Sequence, residues 1–101
     1  MEYRIIISTL AKRHIQDSYD WYESQQFSLG RQFRDEIRDQ IDKLYDDIVD
    51  YQVYLNNIRR VRLKRFPYHV YYERHQTVNT IVVLAVLHSR RRPYEIAGLF
   101  K

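Results

Sequence analysis

The chain has 101 residues, a formal net charge of +4 and no cysteine. This length is enough for a modest hydrophobic core, so we predict a single domain over residues 1–101. The lack of cysteine excludes disulfides and zinc sites built from thiolates. The apolar run near the N-terminus is too short for a signal peptide or a membrane span, which predicts a cytoplasmic protein without a membrane partner.

Charge is distributed unevenly along the chain. Residues 1–56 carry 7 Lys and Arg against 11 Asp and Glu, whereas residues 57–101 carry 10 against 2. A basic half on a small domain is typical of proteins that bind phosphate groups or an acidic protein partner, because its field attracts anions. The charge by itself leaves both kinds of partner open.

The acidic half contains the pattern of a helical hairpin. A short β-branched strand is predicted over residues 3–7, after which Ser8 or Thr9 can cap a helix that ends near Gln25. Apolar residues then recur at spacings of three and four over residues 29–48, which predicts a longer second helix. We expect Trp21 and Tyr22 to cover the core. The acidic residues of the second helix are expected to form a solvated face: Asp35, Glu36, Asp39 and Asp42.

The basic half switches to a period of two. Residues 60–64 alternate apolar and basic, Pro67 marks a turn, and residues 68–74 form the returning strand. Residues 80–87, TIVVLAVL, are apolar on both faces, as a central strand should be. The order strand, helix, helix and three strands predicts an α+β fold, in which the helical hairpin packs on a small, mostly antiparallel sheet.

The stretch RRVRLKRFPYHVYYER, residues 59–74, predicts a β-hairpin with one apolar and one basic face. A two-residue connection at Phe66 and Pro67 would place Lys64 opposite His69. Any other even loop length would leave each side chain on the same face of the hairpin. The core face would hold Val61, Leu63, Tyr68, Val70 and Tyr72. The opposite face would hold Arg60, Arg62, Lys64, His69, Tyr71 and Glu73.

This basic face has the residue types that cleavage of RNA requires. Cleavage needs a base for the 2′-hydroxyl, cations for the phosphorane and an acid for the leaving oxygen. His69, Tyr71 or Glu73 could act as the base, and Arg60 and Arg62 could hold the phosphate. The other interpretation is a solvated strand face in which Glu73 pairs with Arg60 across the strands.

A second basic cluster, HSRRRPYEI, follows the central strand over residues 88–96. If the last hairpin also keeps even parity, His88 lies on the basic face with His69. The simpler interpretation is a stop signal made of charge and Pro93. Together the two clusters predict an anion- or target-binding set of Arg60, Arg62, Lys64, Arg90, Arg91 and Arg92. No motif in the sequence predicts a metal site.

Three segments carry a resemblance to a known family. DWYESQQFSLGRQF, RRVRLKRFPYHVYY and VVLAVLHSRRRP, in this order, resemble the RelE/ParE toxin superfamily. Its members are the toxins of type II toxin–antitoxin modules, often called plasmid stabilisation proteins. The resemblance covers nearly the whole chain and implies the β-α-α-β-β-β fold. It implies no cofactor.

The RelE-like branch of this family cuts messenger RNA in the ribosomal A site without a metal. The resemblance then implies catalytic groups at Arg60 and Arg62, at His69 in place of an arginine, and at Arg91. The family's C-terminal tyrosine would align at or near Ala97. The nearest tyrosine here is Tyr94, three residues away.

The ParE-like branch shares the fold, acts on DNA gyrase and lacks a nuclease site. The length of the chain, its long helical hairpin and its WYE segment resemble this branch more closely, so we favour it slightly. A third interpretation is a homologue that only binds its antitoxin. Every branch implies a cognate antitoxin as partner, docked on the helical hairpin and along residues 60–66, where an acidic segment would neutralise the basic half.

Overall fold

A computed structural model describes residues 4–45, 53–55 and 57–91. Within these residues the chain forms two α-helices, a 3₁₀ turn and five strands. They run in the order β1 (Arg4–Ile7), α1 (Thr9–Gln25), α2 (Leu29–Lys43), β2 (Val53–Leu55), β3 (Ile58–Arg62), β4 (Tyr68–His75), the 3₁₀ turn (Gln76–Val78) and β5 (Thr80–His88). No helix among the described residues is long and apolar enough to span a bilayer.

The structure confirms the predicted α+β fold. The sheet has the order β1-β5-β4-β3-β2, with β1 parallel to β5 and every other pair antiparallel. The helical hairpin packs on one face of this mostly antiparallel sheet. The main core lies between them and includes Phe33, Ile37, Val61, Val70, Tyr72, Ile81 and Val83.

The helices begin where the sequence predicts. The Ser8 side chain accepts a hydrogen bond from the Ala11 amide at 3.0 Å and caps α1, which ends at Gln25 as predicted. Helix α2 begins at Leu29 and is described to Lys43, so the predicted continuation to residue 48 lies outside the described residues, as does residue 3 of the predicted first strand. The short strand β2 was not predicted.

Contacts between the two helices fix the start of α2. The Glu23 carboxylate of α1 accepts a hydrogen bond from the Gly30 amide at 2.9 Å, in the place where a capping side chain would act. A Cβ atom on Gly30 would lie 2.5 Å from the Tyr19 carbonyl oxygen. The helices therefore approach so closely at this point that only glycine fits.

The β3–β4 hairpin has the predicted parity but a different register. Arg62 pairs with His69, and the Leu63 amide donates to the Tyr68 carbonyl at 2.9 Å, so residues 64–67 form the connection. The register is thus shifted by two residues from the predicted pairing of Lys64 with His69. The reason is that Phe66 is buried against the rings of Tyr22 and Phe33, so the longer loop folds into the core.

The β4–β5 hairpin corrects the prediction for His88. His88 pairs with Tyr68, and the pairing shifts at Leu84, because Tyr71 lies opposite Ala85 while Tyr72 lies opposite Val83. Neighbouring residues of a strand point to opposite faces, so the partner of Tyr68 shares the helix-covered face. His88 therefore does not lie on the basic face with His69.

Candidate functional site

Strands β3 and β4 bring Arg60, Arg62, His69 and Tyr71 together on the face of the sheet that the helices leave uncovered. Arg62 lies opposite His69, and Arg60 lies opposite Tyr71. We call these four residues the basic face. The rings of His69 and Tyr71 are 6.0 Å apart. The sequence therefore predicted the members of this group and their shared face.

The basic face has a buried apolar base. Tyr71 is fully buried and forms a second cluster with Ile58, Ala85 and Leu87. The Tyr54 ring of β2 packs on Tyr71 with their centroids 5.3 Å apart, and the Arg60 guanidinium carbon lies 4.8 Å from the Tyr54 centroid. A purely solvated strand face would not bury such groups. Arg60 instead packs on a second, smaller core, while Arg62 beside it is exposed.

His69 is the group whose protonation this environment changes most clearly. Burial, followed by the charges of Arg60 and Arg62, lowers the pKa of His69 to about 4. Its imidazole is therefore neutral at pH 7. Within the described part of the chain, His69 Nδ1 and Arg60 Nε are buried and have no hydrogen-bond partner. An anion at this point would satisfy unpaired groups and would raise the pKa of His69 again.

Of the other predicted cations, the structure describes Lys64, Arg90 and Arg91, and it brings none of these three to the basic face. Lys64 lies in the β3–β4 loop and borders a hollow with Glu36 and Lys43 of α2. Arg91 borders a hollow with His14 of α1, and after burial its charge is the main cause of the lowered pKa of His14.

Arg90 lies in a third environment, since it borders a hollow with Trp21 and Tyr22. The charge of Arg62 still acts across the end of the sheet, because it contributes with burial and Arg90 to the lowered pKa of His88. Arg92 and Tyr94, like Ala97, lie outside the described residues. Of the catalytic set that the resemblance implies, only Arg60, Arg62 and His69 are shown to be neighbours.

Glu36 corrects a prediction made from the sequence. We expected it on a solvated face, but its residue is only 6% exposed. Its carboxylate accepts hydrogen bonds from the backbone amides of Lys64 and Arg65, the latter at 3.0 Å to Oε1. The missed signal is positional, because residue 36 follows Phe33 by three and precedes Gln40 by four on the buried side of α2.

The two aromatic residues of α1 behave differently from each other. Tyr22 covers the core as predicted, with its ring 5.4 Å from Phe33, and burial together with Tyr68 raises the pKa of Tyr22 to about 12. Trp21 is 57% exposed, so the same prediction is wrong for Trp21. Among the described residues no cluster of three His, Asp or Glu side chains could hold a metal ion.

Several solved structures share this fold of a helical hairpin on a small sheet. A chain of the chromosomal ParDE toxin–antitoxin system from P. aeruginosa aligns with a TM-score of 0.69 at 14% identity, covering 86% of this chain and 96% of that chain. The isolated E. coli RelE toxin aligns with a TM-score of 0.53 at 10% identity, covering 97% and 96%. The RelBE2 toxin–antitoxin complex of Mycobacterium tuberculosis aligns with a TM-score of 0.51 at 16% identity, covering 87% of this chain and 92% of that chain.

These likenesses define the fold as that of the ParE and RelE toxins. The sequence model described as the ParE toxin of type II toxin-antitoxin systems, parDE, matches residues 5–93. The match covers most of the chain, so the chain belongs to the ParE toxin family, within the superfamily that the sequence resembles. No protein of curated function matches the chain.

Proposed function

We propose that the chain is a ParE-like toxin that arrests bacterial growth by acting on DNA gyrase in the cytoplasm. The observation that carries this proposal is the state of the basic face. Without a bound anion, its histidine has a pKa of about 4 and is neutral at pH 7, so it is not in the imidazolium form that would protonate a leaving oxygen. Arg91 lies beside α1 instead of completing the set. The basic face is thus better suited to gripping an anionic target than to cutting RNA.

The family match supports this choice, since the matching model describes ParE toxins and spans residues 5–93. In this proposal Arg60 and Arg62 contact the gyrase–DNA complex, where phosphates and acidic side chains are both available. Arginine is suited to such contacts because its planar fork binds an anion with two parallel hydrogen bonds. The proposal assigns no cofactor or metal to the toxin itself.

One observation favours a second candidate, a RelE-like ribosome-dependent endoribonuclease. Arg62 lies opposite His69, and Arg60 is close enough to lower the pKa of that histidine. A phosphate bound by both arginines would raise the pKa of His69, and a neutral imidazole can accept the proton of a 2′-hydroxyl. In this case Arg60, Arg62, His69, Arg91 and Tyr94 form the catalytic set.

A cognate antitoxin is the proposed partner under either target. The P. aeruginosa and M. tuberculosis neighbours belong to a toxin–antitoxin system and a toxin–antitoxin complex, respectively. In this chain, an apolar hollow of about 250 Å³ between β1 and the helical hairpin is lined by Ile7, Ile15, Ile37 and Ile41 and is bordered by Arg34 and Arg38. An amphipathic acidic segment would suit this combination. A homologue that only binds its antitoxin is the remaining alternative.

Action on gyrase and action on ribosome-bound messages would leave different products in the cell, so one induction experiment distinguishes the two targets. The full chain is induced without its antitoxin, gyrase cleavage complexes are trapped, and new 5′ ends on translated messages are mapped. We expect growth arrest with gyrase–DNA adducts and intact messages. Codon-phased cuts that vanish in Arg62→Ala would establish the nuclease instead. Neither arrest nor cuts would leave the antitoxin-binding homologue.

Variants test whether the arginines contact the target. We expect Arg62→Ala and Arg91→Ala each to weaken growth arrest, and the control Lys12→Ala, an exposed change on α1, to leave it unchanged. Because Arg62 and Arg91 lie in different surroundings, the single variants also show which surface meets the target. Undiminished arrest by the double variant would rule out both assignments.

A further inference from the structure

A groove beside α1 has features that the toxin's proposed target does not explain. It has a volume of about 570 Å³ and is lined by Trp21, Tyr22, Pro67, Tyr68, His88 and Arg90. We call it the Trp21 groove. Its volume lies within the roughly 300–1,000 Å³ that is usual for ligand pockets. The groove lies where the C-terminal half of α1 meets the ends of β4 and β5, away from the basic face.

The floor of the groove is held by several contacts. The centroid of the Tyr22 ring lies 5.0 Å from that of Phe66 and 6.1 Å from that of Tyr68. The Ser89 amide donates to the Pro67 carbonyl at 2.7 Å, which joins the end of β5 to the β3–β4 loop. A groove built on such contacts is formed before any ligand arrives, so binding requires little ordering.

Trp21 forms an open aromatic wall. Its ring meets Tyr22 edge to face, with centroids 5.0 Å apart and an interplanar angle of 78°, while the residue stays 57% exposed. A single exposed aromatic residue needs no explanation. Here, however, the indole borders a groove with two tyrosines and a proline, and such a wall can stack on a planar ring.

The opposite end of the groove is built for an anion. The Arg90 amide donates to His88 Nδ1 at 3.0 Å, so the neutral imidazole carries its hydrogen on Nε2, on the other edge of the ring. Burial and the charges of Arg90 and Arg62 lower the pKa of His88, which shows that positive charge surrounds it. None of the six lining residues is acidic. A guanidinium and a neutral N–H donor therefore face this end without a competing carboxylate.

An anion site next to an aromatic wall matches the two halves of a nucleotide. We propose that the Trp21 groove binds a nucleoside phosphate, with the phosphate at Arg90 and His88 and the base stacked on Trp21. A peptide of acidic side chains alone would use the cations but has no flat ring to stack on the indole, so the geometry favours the nucleotide. The site differs from the basic face, and the inference does not depend on which target the toxin has.

Trp21 is the only tryptophan in the chain, so its fluorescence reports directly on the groove. The purified full chain is titrated with adenosine 5′-monophosphate, a 5′-phosphorylated dinucleotide, adenosine, inorganic phosphate and a hexaglutamate peptide. We expect saturable changes with the two nucleotides, and binding at least about fivefold weaker with adenosine or phosphate alone, because each lacks half of the contacts. The dinucleotide should bind more tightly if the ligand is a strand, and equally if it is a free nucleotide.

Two matched variants locate the site. Arg90→Gln should weaken nucleotide binding by at least about fivefold, while Lys12→Gln, an exposed cation near the start of α1, should change it less than about twofold. Calorimetry on Trp21→Ala, an exposed position, should show the loss of the stacking partner without a loss of folding. The proposal is overturned if neither nucleotide binds saturably, if Lys12→Gln weakens binding as much as Arg90→Gln does, or if hexaglutamate binds more tightly than the nucleotides.

Discussion

Glu36 is a buried titratable group and His69 a half-buried one, yet they differ in hydrogen bonding. The Glu36 carboxylate receives backbone amides from Lys64 and Arg65, and the Arg65 Nε lies 3.9 Å from it. His69 Nδ1 has no partner among the described residues, and the cations Arg60 and Arg62 lie beside it. A satisfied buried charge holds a loop in place. An unpaired polar atom of a neutral imidazole beside two cations is what a binding surface leaves open for its ligand.

The largest expected effect comes from removing the satisfied group. Glu36→Ala should lower the free energy of unfolding by about 3 kcal/mol, because the backbone amides of Lys64 and Arg65 lose the charged acceptor that holds their loop on α2. Urea unfolding measures this change. Asp39→Ala, an exposed carboxylate on the same helix, is the matched control and should cost less than about 0.5 kcal/mol. Equal effects of the two variants would mean that Glu36 does not hold the loop.

The next effect concerns acid stability. The pKa of His69 is about 4 in the folded chain and about 6.5 in the unfolded chain, so between these values the unfolded chain binds the proton first. Stability should therefore fall as the pH drops from about 6.5 to 4, by about 1–3 kcal/mol after allowance for partial exposure of the ring.

His69→Phe tests this by difference. The free energy of unfolding of this variant should not show the decrease that protonation of His69 causes at acid pH. At pH 7 the variant should be about as stable as the original chain, since an unpaired polar atom is replaced by an apolar ring. His75→Gln, at an exposed position, is the control and should lose as much stability at acid pH as the original chain does. A pH profile of His69→Phe that parallels that of the original chain would contradict the lowered pKa.

The smallest effect distinguishes the two arginines. Arg60 lowers the pKa of His69 more than Arg62 does, so Arg60→Gln should move the NMR-detected pKa of His69 upward by more than Arg62→Gln. Added phosphate should raise the same pKa in the original chain and less so in either variant. An unchanged pKa with phosphate would show that the open group is not an anion site.

The same contrast shows what the sequence could and could not predict. Alternation of apolar and basic residues was enough to place Arg60, Arg62, His69 and Tyr71 on one face. The reason is that side chains alternate between the two faces of a strand, and any even loop length leaves each side chain on the same face. The register itself was not accessible, since it depends on Phe66 entering the core and on Glu36 holding the loop. Both are contacts between distant elements.

The helices were predicted closely because their caps and apolar spacing are local signals. Helix α1 is capped by Ser8 and ends at Gln25, as expected. The position of Arg91 beside α1 was not predicted, because it depends on how α1 covers the end of β5. The short strand β2 was missed for a related reason, since three residues with an irregular pairing leave little periodic pattern.

The parallel pairing of β1 with β5 has a consequence for how the chain folds. Ser8 donates to the carbonyl of Leu84, 76 positions away, and every pair between the two strands spans a similar distance along the chain. Contacts of this range close large loops and slow the search for the native state, so we expect folding in milliseconds to seconds, not microseconds. During synthesis the first strand has no partner until residues 80–83 have emerged. The toxin's sheet is therefore completed late, and a chain interrupted before residue 80 would lack β5, the strand on which α1 packs.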